Sequence, residues 1–195
     1  MNKLMGFFEL QNSDIPTIPW KEFIYDTVLD DSMLWTIRTA VLSGDDFNLP
    51  RSVGENSKKS LQFGKEMLQR FGDKGMVIYY PYFVAKKSGT LNISNEMIVI
   101  EAVNDDLWNL VTYSSREVTI RIHGNSFIYD GNDKFLSEAE LNELLKQVPK
   151  IKHTFRDYLT EGKSILLEWS FALNCNINKE AIGEQYLVFY EARTV

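Results

Sequence analysis

The chain of 195 residues is long enough for one ordinary domain, or for two small lobes that share a site. Apolar residues make up 44% of the sequence, so a packed core is expected and a disordered chain is excluded. A net charge of −6 and scattered basic residues argue against a nucleic-acid-binding surface. The single cysteine indicates a reducing compartment, and no apolar run approaches the roughly 18 residues that cross a bilayer. We therefore expect a cytoplasmic protein with no membrane partner.

The first third of the chain predicts two helices around one buried strand. Leu4, Phe7 and Phe8 recur at helical spacing, and the prolines of segment 14–19 end that helix. In chain order, we expect a helix over Lys3–Gln11, a strand over Leu34–Ala40, a polar loop from Gly44 through Gly54, and a helix over Glu55–Phe71 that Gly72 ends.

The centre of the chain is rich in predicted strands. In the clearest of them, Val118, Ile120 and Ile122 alternate with polar residues, as in a strand with one buried face. A turn follows over Asp130–Asp133. The predicted strands are Met76–Tyr80, Thr90–Ile93, Met97–Val103, Trp108–Tyr113 and Val118–Ile122.

A helix and two short strands complete the predicted pattern. Ser137 and Glu140 have the spacing of a capping box, and we expect Pro149 to end that helix near Val148 before a second segment reaches about Gly162. The runs SILLEWSF and YLVFYEARTV then read as buried strands. Helices interspersed with a β-rich centre predict an α+β fold. No Gly-x-Gly-x-x-Gly or Gly-x-x-x-x-Gly-Lys motif occurs, which argues against a Rossmann or Walker-type site.

Two carboxylates in the final apolar runs are the strongest functional signal. Glu168 and Glu191 each lie within a predicted buried strand, where a carboxylate is costly unless it meets a cation, a metal or a hydrogen-bond donor. The two-residue period of a strand puts Glu191 and Arg193 on one face, and Glu168 can meet that face if the two strands pair. Carboxylates beside an arginine suit a magnesium–phosphate site.

Several pieces of the chain, in order, resemble the ATP-grasp nucleotide-binding domain of the pyruvate phosphate dikinase and phosphoenolpyruvate synthase family. NKLMGFFEL and SDIPTIPWKEF resemble the family's first helix and proline-rich turn, and IRTAVLSGDDFNLPRSVG resembles its Val-Arg-Ser-Ser-Ala block. VIYYPYFVAKKSGTL resembles its hinge, LLEW its Asp-Ile-Glu-Trp and EARTV its Gln-Ala-Arg-Pro. The resemblance implies a compact ATP-grasp-like domain with a mixed, mostly antiparallel sheet. It also implies a trimmed N-terminal lobe over about residues 1–75 and a C-terminal lobe over about residues 76–195.

The resemblance also implies ATP and Mg²⁺ as cofactors and a set of residues that bind them. A phosphoryl group would pass from ATP to a small molecule or to a separate acceptor protein or domain. Phosphoryl transfer depends mainly on positioning and charge neutralisation. The implied residues are Lys3, Arg38 and Arg193 for catalysis and phosphate, Tyr80 and Glu101 as further nucleotide contacts, and Glu168 and Glu191 for magnesium.

Departures from the family pattern leave other interpretations open. The hinge glutamine is Tyr80 here, the terminal glutamine is Glu191, and Trp108 replaces a glutamate of the glycine-rich segment. Glu168 and Arg193 could instead form a structural ion pair, and Lys3 could be solvated. The rival hypothesis is a catalytically inactive nucleotide sensor or protein-interaction module on the same fold. An open cleft around the candidate residues favours the first hypothesis, and a site filled by aromatic side chains favours the second.

Overall fold

The computed structural model describes residues 1–43, 49–107, 110 and 116–195, which form two antiparallel sheets. The smaller sheet has the strand order β1-β4-β2-β3, and its central strand β2 is buried along its whole length. Helix α2 packs on this sheet, where Phe23, Ile37, Met67 and Val77 form a small core. Its elements are β1 (Lys21–Glu22), β2 (Leu34–Val41), β3 (Arg51–Asn56), β4 (Gly75–Pro81) and α2 (Ser57–Phe71).

The larger sheet has six strands in the order β10-β9-β5-β6-β7-β8. Apolar residues of these strands and of helices α3 and α4 form the main core, in which Trp169, Phe171 and Phe189 are fully buried. Its elements are β5 (Phe83–Ile93), β6 (Ile98–Asn104), β7 (Val118–His123), β8 (Ser126–Gly131), β9 (Ile165–Cys175) and β10 (Ala181–Thr194), with helices α3 (Glu138–Thr154) and α4 (Arg156–Thr160).

Helix α1 (Lys3–Gln11), the first element, packs against the last strand, β10. Gly6 permits a very close approach, because a Cβ atom at this position would lie 1.9 Å from the carbonyl oxygen of Ala192. Leu4 and Phe7 bury the inner face of the helix against residues of β2, β4 and β10. The helix therefore lies where both sheets meet.

Much of the predicted element pattern is confirmed. Helix α1 has the predicted bounds, the capping box of Ser137 and Glu140 is present, and the last two strands pair with each other. The α+β class is confirmed as well. Helix α2 begins at Ser57, after Asn56 as its N-cap. The predicted strand Trp108–Tyr113 lies, apart from Leu110, outside the described residues.

Three local predictions are wrong. Residues of β3 were predicted to belong to the polar loop, but they pair with β2. Strand β8 was not predicted, because all of its side chains are exposed and it shows no buried face. Pro149 does not end the third helix but lies inside it, and the helix runs on to Thr154.

The predicted boundary between lobes, at about residue 75, does not coincide with the boundary between the two sheets. A division at about residue 75 would separate β4 from the sheet in which it pairs with β1 and β2. The change of sheet comes at Tyr82, between β4 and β5. Helix α1 packs against β10 of the larger sheet, so it does not belong to the smaller sheet alone. In the described part of the chain, no helix is long and apolar enough to cross a membrane.

Candidate functional site

A cavity of about 770 Å³ lies between the two sheets. Strands β2, β3 and β4 contribute to one side, strands β9 and β10 to the other, and Lys3 of helix α1 also lines it. This volume is within the range of small-molecule sites in proteins, roughly 300–1,000 Å³. The charged residues that line the cavity are Lys3, Arg38, Arg51, Asp106, Glu168, Glu191 and Arg193.

Glu191 is at the centre of the charged cluster. Its carboxylate accepts a hydrogen bond from Arg38 Nη2 at 2.7 Å, and its other oxygen lies 3.2 Å from Lys3 Nζ. Arg193 Nη1 lies 4.0 Å from that same oxygen. Burial would raise the pKa of Glu191, but Arg38, Lys3 and Arg193 outweigh burial and hold this pKa below its usual range. Glu191 is therefore an ionised carboxylate with a relative exposure of only 2%.

Helix α1 places Lys3 beside Glu191. The Asn2 side chain caps the helix by accepting a hydrogen bond from the Met5 amide, and it also donates to the Leu42 carbonyl oxygen. The close contact at Gly6 then sets the distance between the helix and β10. The helix also supports Arg38, whose guanidinium carbon lies 5.5 Å from the centre of the Phe7 ring. A lysine near the start of the chain is thereby fixed rather than solvated.

The register of β9 and β10 places Glu168 directly opposite Glu191. An irregularity in the pairing at Tyr190 lets both Tyr190 and Glu191 line the cavity. Burial, reinforced by the neighbouring charge of Glu191, raises the pKa of Glu168 to about 7. The same three cations that neutralise Glu191 oppose this rise only in part. The cavity thus combines a carboxylate that cations keep ionised at neutral pH with one whose pKa is raised to about 7.

Arg38 stays charged although it is buried. Burial alone would lower the pKa of its guanidinium, but Tyr80, Glu191 and Glu168 together raise it. Burial in turn raises the pKa of the Tyr80 hydroxyl, despite the nearby Arg38. Arg38 is also directly opposite Arg51 on the adjacent strand, and both arginines line the cavity. Two arginines in this arrangement favour an anionic ligand.

Aromatic side chains form the less polar part of the cavity wall. The rings of Tyr80 and Phe83 are stacked with centres 6.5 Å apart, and Phe83 and Tyr190 follow at 6.0 Å. Tyr82 also lines the cavity. This wall could stack against a planar ring of a ligand. Because the cavity keeps its volume beside these rings, aromatic side chains do not fill the site.

The structure brings together six of the seven predicted site residues. Glu101 is the exception: it does not line the cavity, and its carboxylate is bound by Arg116 Nε at 2.9 Å and by the Thr90 hydroxyl at 3.1 Å. It lies on the row of cross-strand neighbours that continues through Thr90 to Glu168. The six residues that line the cavity are Lys3, Arg38, Tyr80, Glu168, Glu191 and Arg193.

Sequence reasoning missed several other residues of the cavity wall. Arg51 was placed in a loop, because its strand holds few apolar residues and contains Gly54. Ser170 and Tyr190 were each read only as part of an apolar run. Two-residue alternation from Glu168 indicates the position of Ser170, since both lie on the same strand face. The irregularity at Tyr190 has no signal in the sequence that we can identify.

The two carboxylates differ in how well they fit a magnesium ion. Glu168 faces the cavity, and one carboxylate together with ligand phosphates is an ordinary magnesium environment. Glu191 does not fit, because Arg38 holds one of its oxygens and the other is buried beside Lys3. Among the described residues, no group of three or more acidic, histidine or cysteine side chains is arranged to hold a metal. A magnesium ion at Glu168 would share its coordination with the phosphates of a ligand.

Solved structures with the same architecture decide the fold. An L-amino acid ligase from Bacillus licheniformis matches 98% of this chain with a TM-score of 0.51 and 12% identity. A D-alanine-D-alanine ligase from Helicobacter pylori matches 98% with a TM-score of 0.51 and 14% identity. An N5-carboxyaminoimidazole synthetase from Staphylococcus aureus, complexed with ADP, matches 98% with a TM-score of 0.51 and 13% identity.

The chain has an ATP-grasp fold. It covers 39% of the first of these proteins, 50% of the second and 43% of the third, so it spans half of their length or less. No protein-family model and no curated protein matches the chain. The ATP-grasp part of the predicted resemblance is thus confirmed, and its narrower part, the pyruvate phosphate dikinase and phosphoenolpyruvate synthase family, stays a hypothesis.

Proposed function

We propose that the protein binds Mg-ATP in the cavity between its two sheets and passes a phosphoryl group to an acceptor. The observation that carries this proposal is the convergence of Lys3, Arg38, Glu168 and Arg193 on one open cavity of about 770 Å³. These residues come from helix α1 and from strands of both sheets, so only the folded chain brings them together. The ATP-grasp fold and the ADP complex of the S. aureus synthetase support a nucleotide as the ligand.

In this proposal the basic residues bind phosphate oxygens. The guanidinium of Arg38 offers a planar fork of hydrogen-bond donors, and one of its amino groups, Nη2, donates to Glu191. Arg193 and Lys3 add positive charge on the neighbouring elements. Glu168 would hold magnesium together with the phosphates, and the ion would neutralise charge on the transferring group. The aromatic wall of Tyr80, Phe83 and Tyr190 would contact the base or the sugar.

The acceptor is proposed to be a small molecule or a partner protein. The same fold occurs in an L-amino acid ligase and in a D-alanine-D-alanine ligase, and a carboxylate such as that of an amino acid is one possible phosphoryl acceptor. The single cysteine supports a reducing, cytoplasmic location.

The rival function, an inactive nucleotide sensor or interaction module, is favoured by the ion pairs that Glu191 forms with Lys3 and Arg38.

Calorimetric titration of ATP into untagged protein, with and without magnesium, tests the proposal. We expect saturable binding that magnesium strengthens. Arg38→Gln should weaken it at least tenfold in both buffers, since a charged phosphate contact is lost. Glu168→Gln should remove the effect of magnesium. Matched controls are Arg121→Gln and Glu143→Gln, whose side chains are exposed on β7 and on α3.

The outcomes separate the two functions. Binding that depends on Arg38 and not on Arg121 supports a nucleotide site, and a search for the acceptor by release of ADP then separates an active enzyme from a sensor. Absence of binding at millimolar ATP, which corresponds to a binding free energy weaker than about −4 kcal/mol, contradicts the nucleotide proposal. Binding that is insensitive to Arg38→Gln would show that ATP is bound elsewhere.

A further inference from the structure

Glu191 occupies the place in the charged cluster where an anion would be expected. Lys3 Nζ, Arg38 Nη2 and Arg193 Nη1 lie 3.2, 2.7 and 4.0 Å from its carboxylate oxygens. Because Glu191 belongs to strand β10, its carboxylate is held within the cluster, where the residue has a relative exposure of 2%. The three cations thus share a built-in counter-ion, and an incoming anion must compete with it.

The cluster nevertheless keeps an excess of positive charge. Of the charged residues that line the cavity, four are cations, Lys3, Arg38, Arg51 and Arg193, and three are carboxylates, Asp106, Glu168 and Glu191. Coulomb interactions are strong in such a partly buried site, so one additional negative charge there has a large effect on the affinity for any anion. The charge of Glu191 therefore opposes the binding of phosphate, although it stabilises the arrangement of the cations.

We propose that Glu191 is a specificity-determining residue that lowers the affinity of the cavity for small free anions. A single inorganic phosphate would have to displace Glu191 with few contacts of its own. A nucleotide polyphosphate has more phosphate oxygens, a ring for the aromatic wall, and a magnesium ion shared with Glu168. The inference rests on the proposed function for the identity of the preferred ligand. It gives Glu191 no role in binding magnesium.

The test is the affinity of Glu191→Gln for inorganic phosphate and for ATP without magnesium. Glutamine keeps the shape of the side chain and one acceptor oxygen, and it removes the charge. Its amino group replaces the other oxygen and must lie beside either Lys3 or Arg38. We expect the affinity for inorganic phosphate to rise about tenfold and the affinity for magnesium-free ATP to rise as well, because one negative charge that faces the bound anion is removed. The ligand-free variant should also melt at a lower temperature than wild type, because the buried Arg38 and the partly buried Lys3 and Arg193 lose this counter-ion.

Two further variants keep the test decisive. Glu143→Gln removes the same charge from the exposed face of α3 and should change neither affinity. If Glu191→Gln does not fold, Arg38→Gln can be compared with Arg38→Gln/Glu191→Gln. That pair removes Arg38 from both proteins and leaves Lys3 and Arg193 to bind the anion. In the Arg38→Gln background, the added Glu191→Gln change should still raise the affinity for inorganic phosphate.

The opposite sign overturns the inference. A phosphate affinity that is unchanged or lower in Glu191→Gln contradicts competition between Glu191 and an incoming anion. A loss of ATP affinity that is confined to magnesium-containing buffer identifies Glu191 as a metal ligand. Failure of the proposed function is recognised separately: wild type then binds no ATP with magnesium. If Glu191→Gln gains phosphate affinity in that case, the competition by Glu191 stands and only the nucleotide assignment fails.

Discussion

Glu168 on β9 and Glu191 on β10 are directly opposite each other in an antiparallel pair, yet they have different charge states. Arg38, Lys3 and Arg193 hold the pKa of Glu191 low, whereas burial and the charge of Glu191 raise the pKa of Glu168 to about 7. Like charges that face each other on adjacent strands are normally destabilising. The pair therefore has a cost in stability at high pH, which is a common property of functional sites.

Glu168→Gln is expected to stabilise the protein at alkaline pH. Folding raises the pKa of Glu168 above its unfolded value of 4.5. The protonated side chain therefore makes its full contribution to the free energy of unfolding below pH 4.5. This stability is lost as the pH rises through about 7. At pH 8.5 the variant should exceed wild type in free energy of unfolding by on the order of 1–3 kcal/mol, and near pH 4 the difference should vanish. Urea denaturation at both pH values measures it, and an equal difference at the two values would contradict the assigned titration.

Gly6→Ala is expected to weaken ATP binding without changing a residue of the cavity wall. A Cβ atom would lie 1.9 Å from the Ala192 carbonyl oxygen, so helix α1 must move away from β10. Lys3 moves with the helix and leaves Glu191. We expect a loss of about 1–3 kcal/mol in the free energy of unfolding, typical of overpacking, and a weaker affinity for ATP by calorimetry.

Gly64→Ala is the matched control for that experiment. In α2, a Cβ atom at Gly64 would lie 2.3 Å from the buried ring of Phe23, so this variant should also be destabilised by overpacking. Helix α2 packs on the smaller sheet, and it is remote from Lys3 in the sequence. Its affinity for ATP at 25 °C should equal that of wild type while the protein remains folded. Equal losses in both variants would mean that general destabilisation, and not the position of Lys3, causes the effect.

Arg51→Gln is expected to reduce the affinity for ATP about tenfold. Arg51 lines the cavity directly opposite Arg38, and loss of one charged donor to phosphate commonly costs 1–3 kcal/mol. Arg70→Gln, at an exposed position of α2, is the control. Calorimetry with magnesium present measures both variants. If Arg51→Gln binds ATP like Arg70→Gln, the phosphates are held by the other side of the cavity.

Glu140→Gln is expected to destabilise the protein at neutral pH but not in acid. The carboxylate accepts hydrogen bonds from Lys87 Nζ at 2.6 Å and from the Ser137 amide at 2.8 Å. Burial alone would raise the pKa of Glu140, but Lys87 and Ser137 outweigh burial and lower it. Stability from this carboxylate is therefore present above the unfolded value of 4.5 and is lost as the pH falls below it. The loss at pH 7 should be on the order of 1 kcal/mol, measured by urea denaturation.

Periodicity and capping identified most helices and strands because these signals are local. The amphipathic spacing of α1 and the reciprocal hydrogen bonds of Ser137 and Glu140 involve only near neighbours in sequence. Strand β3 could not be predicted in the same way, since its conformation depends on pairing with β2 rather than on its own apolar residues. Pro149 was misleading for a related reason: the surrounding turns pack against the sheet and tolerate one missing hydrogen bond.

The candidate site could be predicted in composition but not in its internal contacts. Buried carboxylates and an arginine in the last two strands drew attention to Glu168, Glu191 and Arg193. The partners of Glu191 could not be deduced, because Arg38 lies 153 positions earlier in the sequence. Only the packing of α1 on β10, and of β2 near both, shows that Glu191 is a counter-ion for several cations.

The contact of helix α1 with strand β10 has a consequence for how the site forms. Closing a connection between the two ends of a chain is slow, because a long loop must be ordered before the contact is gained. Until β10 has been synthesised and has docked, Lys3 and Arg38 lack the carboxylate of Glu191, and the cavity lacks the part of its wall that β10 supplies. Ligand affinity during refolding should therefore appear late, after the secondary structure, and it would serve as a probe of the final step of assembly.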